Sequence, residues 1–200
     1  MLLLLVTQLR RHRLALVGAG LLSILVATAA LAPLLAPHDP LFQDLDRRLQ
    51  PPGAGHLLGT DDFGRDILSR IVYGARISLR VGLVSTFLAL GVGSLLGLAA
   101  GYRGGLVDTV IMRAMDIVLA FPSILLAIAI VAVLGPGLDN VMVAVSLVLV
   151  PQYARLVRAS VLSIRELAYV EAARALGASE GRILLTTILP NCAAPLIVQS

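Results

Sequence analysis

The sequence predicts an all-α, polytopic membrane helical bundle of about four full spans plus the start of a fifth, and three observations predict it. Apolar residues make up 58% of the chain and charged residues only 14%, a balance that ordinary soluble domains do not have. Apolar stretches long enough to cross hydrocarbon recur along it, separated by short segments rich in Gly, Pro and Asp. Arginines gather at some ends of those stretches and are missing from others, the asymmetry that sets orientation in a bilayer.

Residues 1–13 end on Arg10, Arg11, His12 and Arg13, and the positive-inside rule makes this N-terminus cytoplasmic. Residues 14–36 form the first span, long enough to cross at ~1.5 Å per residue. A cleaved signal peptide competes with that reading, because Ala27, Thr28 and Ala29 and then Ala30, Leu31 and Ala32 resemble cleavage sites. The apolar region is longer than a signal core, however, and further spans follow it.

Residues 37–80 read as an extracytoplasmic loop carrying an amphipathic helix at the membrane surface. Thr60 is placed as its cap, with Asp61 and Asp62 in the first turn, Asp61 to Arg65 and Asp66 to Arg70 as i, i+4 pairs, and Phe63, Ile67 and Ile71 along one face. The second span, 81–100, sets Gly82, Ser85, Ala89, Gly93 and Gly97 at three- or four-residue intervals, a small face that permits close helix packing more readily than it marks a substrate path. A short cytoplasmic turn with Arg103 leads to the third span, 109–134. In it Arg113 and Asp116 are expected to pair locally, and Pro122 to kink the helix, either facing a translocation path or only easing packing. Residues 135–140 make an outer turn without a cation, and the fourth span, 141–160, returns to the cytoplasm, bending or ending near Pro151. Arg155, Arg158, Arg165, Arg174 and Arg182 then place the loop 161–190 inside.

Composition also excludes functions. All 16 basic side chains are Arg, so these residues cannot form a P-loop, which needs a Lys at the phosphates, nor a Schiff base. Cys192 is the only cysteine, which rules out an intrachain disulfide. His12, His38 and His56 are scattered rather than set at ligand spacing, so no metal site is expected. No Ser, His and Asp constellation or HExxH motif suggests an enzyme, and no aromatic-interleaved basic patch suggests nucleic acid. A secondary transporter would show paired charges or broken helices at the bilayer midplane and inverted repeats, whereas only Asp116, near one end, stands out.

The remaining segment carries the most information. An apolar stripe at Tyr169, Ala172, Ala173 and Leu176 has helical spacing and stops at Gly177, a suitable C-terminal cap. Ser179 is a plausible N-cap for a second helix through Ile183, Leu184 and Ile188, limited by Pro190. Glu171, Ala172 and Ala173, Gly177 after three intervening residues, and Leu189 with Pro190 resemble the EAA loop of permease subunits in ATP-binding cassette importers. Thr187 holds the position where that pattern has Ile, and Ile188 comes one later. The run 56–79, HLLGTDDFGRDILSRIVYGARISL, resembles the dipeptide, oligopeptide and nickel branch of the same family.

The resemblance implies the bundle of a type I importer permease, with residues 81–200 as its core, in the cell inner (plasma) membrane. It implies that 161–190 is a cytoplasmic coupling loop docking on an ATPase subunit, with Glu171, Ala172, Ala173, Gly177, Leu189 and Pro190 as its site residues. Glu171 would meet a cation on the ATPase or cap backbone within its own loop. The partners implied are a second homologous permease, two cytoplasmic ATPase subunits that bind the ATP and Mg, and an extracytoplasmic solute-binding protein. The cargo implied is a dipeptide or oligopeptide, with nickel or another small solute as the alternative. Residues 191–200 read as the start of a fifth span, and the resemblance implies that the chain is truncated there.

Overall fold

A computed structural model describes residues 13–199, and it is all-α: among these residues the sole extended pairing is an isolated antiparallel bridge between Thr60 and Asp66. The expected cytoplasmic segment 1–13 lies outside the described residues except for Arg13. The helices are α1 (Arg13–Ala30), α2 (Ala32–Leu35), α3 (Ile67–Arg103), α4 (Gly105–Leu119), α5 (Ser123–Leu134), α6 (Leu138–Ile164), α7 (Ala168–Ala175), α8 (Glu180–Ile183) and α9 (Leu189–Gln199), with a π turn at Leu184–Ile188. The chain divides into two compact units, Met1–Arg80 and Val81–Ser200. Ile67–Arg103 and Leu138–Ile164 are each long and apolar enough to cross a membrane.

In the first unit the expected first span breaks near its end. Pro33 has no N–H to donate, and the chain turns at Leu31 before α2. The expected surface helix from Thr60 is corrected to a loop. Thr60 donates its hydroxyl to the Arg47 carbonyl and exchanges bonds with Gln50, whose N–H donates to Thr60 Oγ1 at 2.9 Å while the Thr60 N–H donates to the Gln50 carbonyl at 3.1 Å. These tertiary bonds take the groups that a helix would use. The helix begins instead at Ile67, where Asp66 Oδ2 accepts the Ser69 N–H at 2.8 Å in N-cap fashion.

The expected Asp61 to Arg65 pair forms at 2.8 Å, but the Asp66 to Arg70 pair does not. Arg70 reaches Asp61 as well, while Asp66 is taken by His56 Nδ1 at 2.9 Å. Burial would raise the Asp61 carboxyl, but the N–H groups of Arg65 and Phe63 and the Arg65 guanidinium outweigh it and hold the pKa down at about 2, against 3.8 ordinarily. A carboxylate depressed in the folded state contributes stability above its unfolded pKa and loses it as pH falls through the folded one. Asp61→Asn should therefore reduce amide protection at Phe63 and Arg65 most above pH 3.8, and its difference from wild type should close toward pH 2. A difference undiminished at pH 2 would contradict this.

In the second unit the small face of α3 packs against α6 from Ser85 to Gly97, as expected, while Gly82 stands exposed in open space. Ser85 donates its hydroxyl to the Met142 carbonyl at 3.0 Å, and Ala89 is fully buried with Met115, Val150, Tyr153 and Ala154. The helix axes come close because a Cβ added to Gly93 would lie 2.6 Å from Tyr153 Cβ and 2.8 Å from the Val150 carbonyl. The expected break of the third span at Pro122 is present and sharper than a kink. The span is two helices, α4 and α5, bent by 93° across Pro122, so they qualify as one span only together. A proline ordinarily kinks a helix that continues; here Pro122 is the N-cap of α5, extended at ψ 126, and the helix restarts in a new direction. Pro151, in contrast, lies buried inside an unbroken α6.

Candidate functional site

Residues 165–191 fold as a braced helix, turn and helix whose construction is local. Leu167 is extended and begins α7, with Glu171 in the first turn. At the other end the Gly177 N–H donates to the Arg174 carbonyl at 2.9 Å and the Ala178 N–H to the Ala173 carbonyl at 3.1 Å. That pair of bonds is a Schellman cap with Gly177 at φ +81, the left-handed conformation that glycine adopts without strain. Ser179 then occupies the N-cap of α8, although its side chain makes no capping bond.

Pro190 does not end the second helix as expected. The Leu189 N–H reaches back to the Leu184 carbonyl, an i to i−5 bond, and the chain continues into α9 with Pro190 in its first turn. The wider turn absorbs the proline, and Asn191 Nδ2 donates to the Thr187 carbonyl at 2.6 Å.

The expected apolar stripe forms on α7, with Ala173 half-buried and Tyr169, Ala172 and Leu176 exposed. Val170, not Tyr169, is the fully buried residue of α7, and with Ala173 and Ala178 it packs on Val157, Val161, Ile183, Ile188 and Cys192. Those buried residues belong to α6, α8, the π turn and α9, so they cover one face of α7 and leave the next face open. Leu176 is 88% exposed and Tyr169 47%, and Ala172 and Glu171 lie exposed with them. Among the expected site residues, the structure thus puts Glu171 and Ala172 outside, Ala173 against the core, Gly177 at the turn, and Leu189 and Pro190 exposed at the start of α9. Tyr169 Oη lies 3.5 Å from Asn191 Nδ2, which links α7 to α9, and the Tyr102 hydroxyl donates to the Glu180 carbonyl at 3.4 Å.

Charged pairs that local reasoning missed anchor this platform. Arg158 makes a two-pronged contact with Asp108, at 2.5 and 2.6 Å, joining α6 to the first turn of α4. Arg155 meets Asp116 at 2.6 Å, so the expected Arg113 partner, at 3.9 Å, is the weaker of the two. Arg165 donates to the Gly101 carbonyl at 3.1 Å. No sequence spacing reports these pairs, because the partners are 50, 39 and 64 residues apart. Arg158→Leu strands a partly buried Asp108 and should cost about 2 kcal/mol. Thermal unfolding of the full-length protein in detergent checks this, and an unchanged midpoint would show that the pair is only a surface contact.

Known proteins place this architecture. A family model described as "Binding-protein-dependent transport system inner membrane component" matches residues 93–200, and one for the N-terminal TM domain of oligopeptide transport permease C matches 4–52. The chain is 51% identical over 193 residues to a dipeptide transport system permease protein, DppC, of Alkalihalophilus pseudofirmus, covering 96% of this chain and 64% of that protein. It is 48% identical to a di/tripeptide transport system permease protein of Pseudomonas aeruginosa, covering 93% of this chain and 63% of the relative. A glutathione transport system permease protein of Pectobacterium atrosepticum is 45% identical, with 95% and 63% covered. The chain thus spans somewhat under two thirds of the length of these relatives.

Proposed function

Because the chain belongs to the family of binding-protein-dependent transport system inner membrane components, we propose that it is a permease subunit of an ATP-driven importer of dipeptides or short oligopeptides. It is an inner-membrane, multi-pass protein, and in this reading its N-terminus and residues 161–190 face the cytoplasm while residues 37–80 lie outside. Two cytoplasmic ATPase subunits bind ATP and Mg, a second homologous permease completes the pathway, and an extracytoplasmic solute-binding protein delivers the cargo. The names of the relatives, dipeptide, di/tripeptide and glutathione permeases, support a short peptide as cargo over nickel.

The observation that carries the coupling role is the exposed face of α7, with Leu176, Tyr169, Ala172 and Glu171, mounted on a packed and hydrogen-bonded support. An apolar side chain as exposed as Leu176, held on a short helix that cannot slide, suits burial against a partner protein. ATP-driven closure of the ATPases moves the docked helix, and α6, continuous from the loop back into the membrane, carries that displacement to the spans. The test is ATP-dependent uptake into proteoliposomes holding the full-length subunit with its partner permease, ATPases and binding protein. Saturable uptake of labelled dipeptide, unaffected by excess nickel, is expected. Nickel uptake without peptide uptake would overturn the cargo assignment.

A further inference from the structure

Two of the three histidines in the sequence, His38 and His56, converge on one carboxylate although they are far apart in the chain. His56 Nδ1 lies 2.9 Å and His38 Nδ1 3.7 Å from the same oxygen, Asp66 Oδ1, and one ligand atom from each of the three residues falls within 4.8 Å of the others. The imidazole centroids are 4.6 Å apart. We propose that His38, His56 and Asp66 form a binding site for a divalent transition metal ion of the zinc class, an assignment independent of the transport reading.

The donor set fits this ion. Two neutral imidazoles and one carboxylate are ligands that zinc accepts, and tetrahedral bonds of ~2.0–2.1 Å set neighbouring donors about 3.3 Å apart. The two imidazole-to-carboxylate separations, 2.9 and 3.7 Å, bracket that value, and all three donors lie within 4.8 Å of one another. A hydrogen bond explains only His56, since His38 Nδ1 is too far from the carboxylate for one. The ligands are also held from behind. Asp66 has its side chain fully buried, and its second oxygen is fixed by the Ser69 N–H, while the Ser69 hydroxyl accepts the His38 N–H at 3.1 Å. One helix start therefore positions both Asp66 and the backbone of His38, the kind of outer support that metal ligands need.

The three residues, with Asp39 and Asp44, line a cavity of about 80 Å³. That is room for a water as fourth ligand, since a water needs only ~10–15 Å³ of such volume. Arg47 also lines the cavity, but its Nε lies 3.4 Å from Asp44 Oδ2, which offsets its charge. His38, 43% exposed, also borders a larger open cavity and gives an ion a way in.

The test uses the full-length protein in detergent, stripped with chelator and titrated with Zn²⁺ and then Co²⁺. About one Zn²⁺ per chain should bind, and Co²⁺ should develop the intense visible bands of tetrahedral coordination. His38→Gln, at the most exposed ligand, should weaken Zn²⁺ binding at least ~10–100-fold without altering the metal-free melting temperature. His12→Ala should leave binding unchanged. Absence of saturable Zn²⁺ binding by the wild-type protein, or equal binding by His38→Gln, would overturn the site and leave His56 and Asp66 as a hydrogen-bonded pair. Should His38→Gln prove misfolded, wild-type Co²⁺ lacking tetrahedral bands would overturn it equally.

Discussion

Leu176→Asp and Glu171→Lys are each expected to abolish peptide uptake by the assembled transporter while leaving the subunit inserted and stable. Leu176 is 88% exposed and contributes almost nothing to the fold, so a charge there has little to disturb within the chain. Glu171 sits exposed in the first turn of α7, and none of the ion pairs among the described residues involves it. Reversing its charge acts against the helix dipole by about 0.3–1 kcal/mol, which the packed Val170 and Ala173 face can absorb. Against an ATPase surface the same changes are costly. Burial of an unpaired charge at a docking contact removes ~2–4 kcal/mol, a loss of roughly 30-fold or more in affinity. Glu171→Gln keeps the shape and removes only the charge, so it should fall between. Basal ATPase activity of the partner subunits should persist in all three, giving hydrolysis without transport. Normal uptake by both Leu176→Asp and Glu171→Lys would remove the coupling assignment from this face.

Gly97→Leu is expected to damage the packing of the second unit severely. A Cβ at Gly97 would fall on the Ala154 carbonyl and lie 2.8 Å from Val157 Cβ, and the neighbouring turn repeats the pattern at Gly101, 2.9 Å from Val161 Cβ. The obstacle is partly backbone, so no rotamer change relieves it, and α3 and α6 must separate. Separation opens the cluster of Leu98, Val157 and Val161 that also supports α7. Overpacking alone costs ~1–3 kcal/mol for small insertions, and an isobutyl group at a backbone contact should exceed that. Gly91→Leu is the control, because nothing lies within 4 Å of a Cβ there. Its melting temperature should match or slightly exceed wild type, reflecting the better helix propensity of Leu. Equal melting of the two variants would show that the glycine contact is not a packing requirement.

Features governed by nearby residues were legible in the sequence. Gly177 ends α7 in the way its position suggested, because a Schellman cap needs only the last turn and the next two residues. The small face of α3 was legible for the same reason: its spacing is a property of one helix. What escaped were choices made by tertiary partners. Thr60 carries the chemistry of an N-cap, yet bonds to Arg47 and Gln50 claim it and the helix begins later. Pro190 looked like a stop, but a π turn spends one extra residue and passes it. Period alone marked the apolar stripe at Tyr169, Ala172, Ala173 and Leu176, but not that the supporting core lies under Val170 on the neighbouring face. His38 and His56 looked scattered because tertiary contacts, the bridge between Thr60 and Asp66 and the Ser69 bond to His38, bring them to Asp66.

Docking of the loop 161–190 on an ATPase, as proposed, is tested by co-purification of the full-length subunit with its ATPase partners, comparing wild type with Gly177→Asp. Gly177 has φ +81 and open space where a Cβ would stand, so the substitution acts through backbone strain and a negative charge at the C-terminal end of α7 rather than through packing. Wild type should capture the ATPase, Gly177→Asp should lose it while remaining folded in the membrane, and Gly177→Asn, uncharged and accepted at this helix-end position, should retain more. Equal capture by wild type and Gly177→Asp, or no capture by wild type, would contradict the docking.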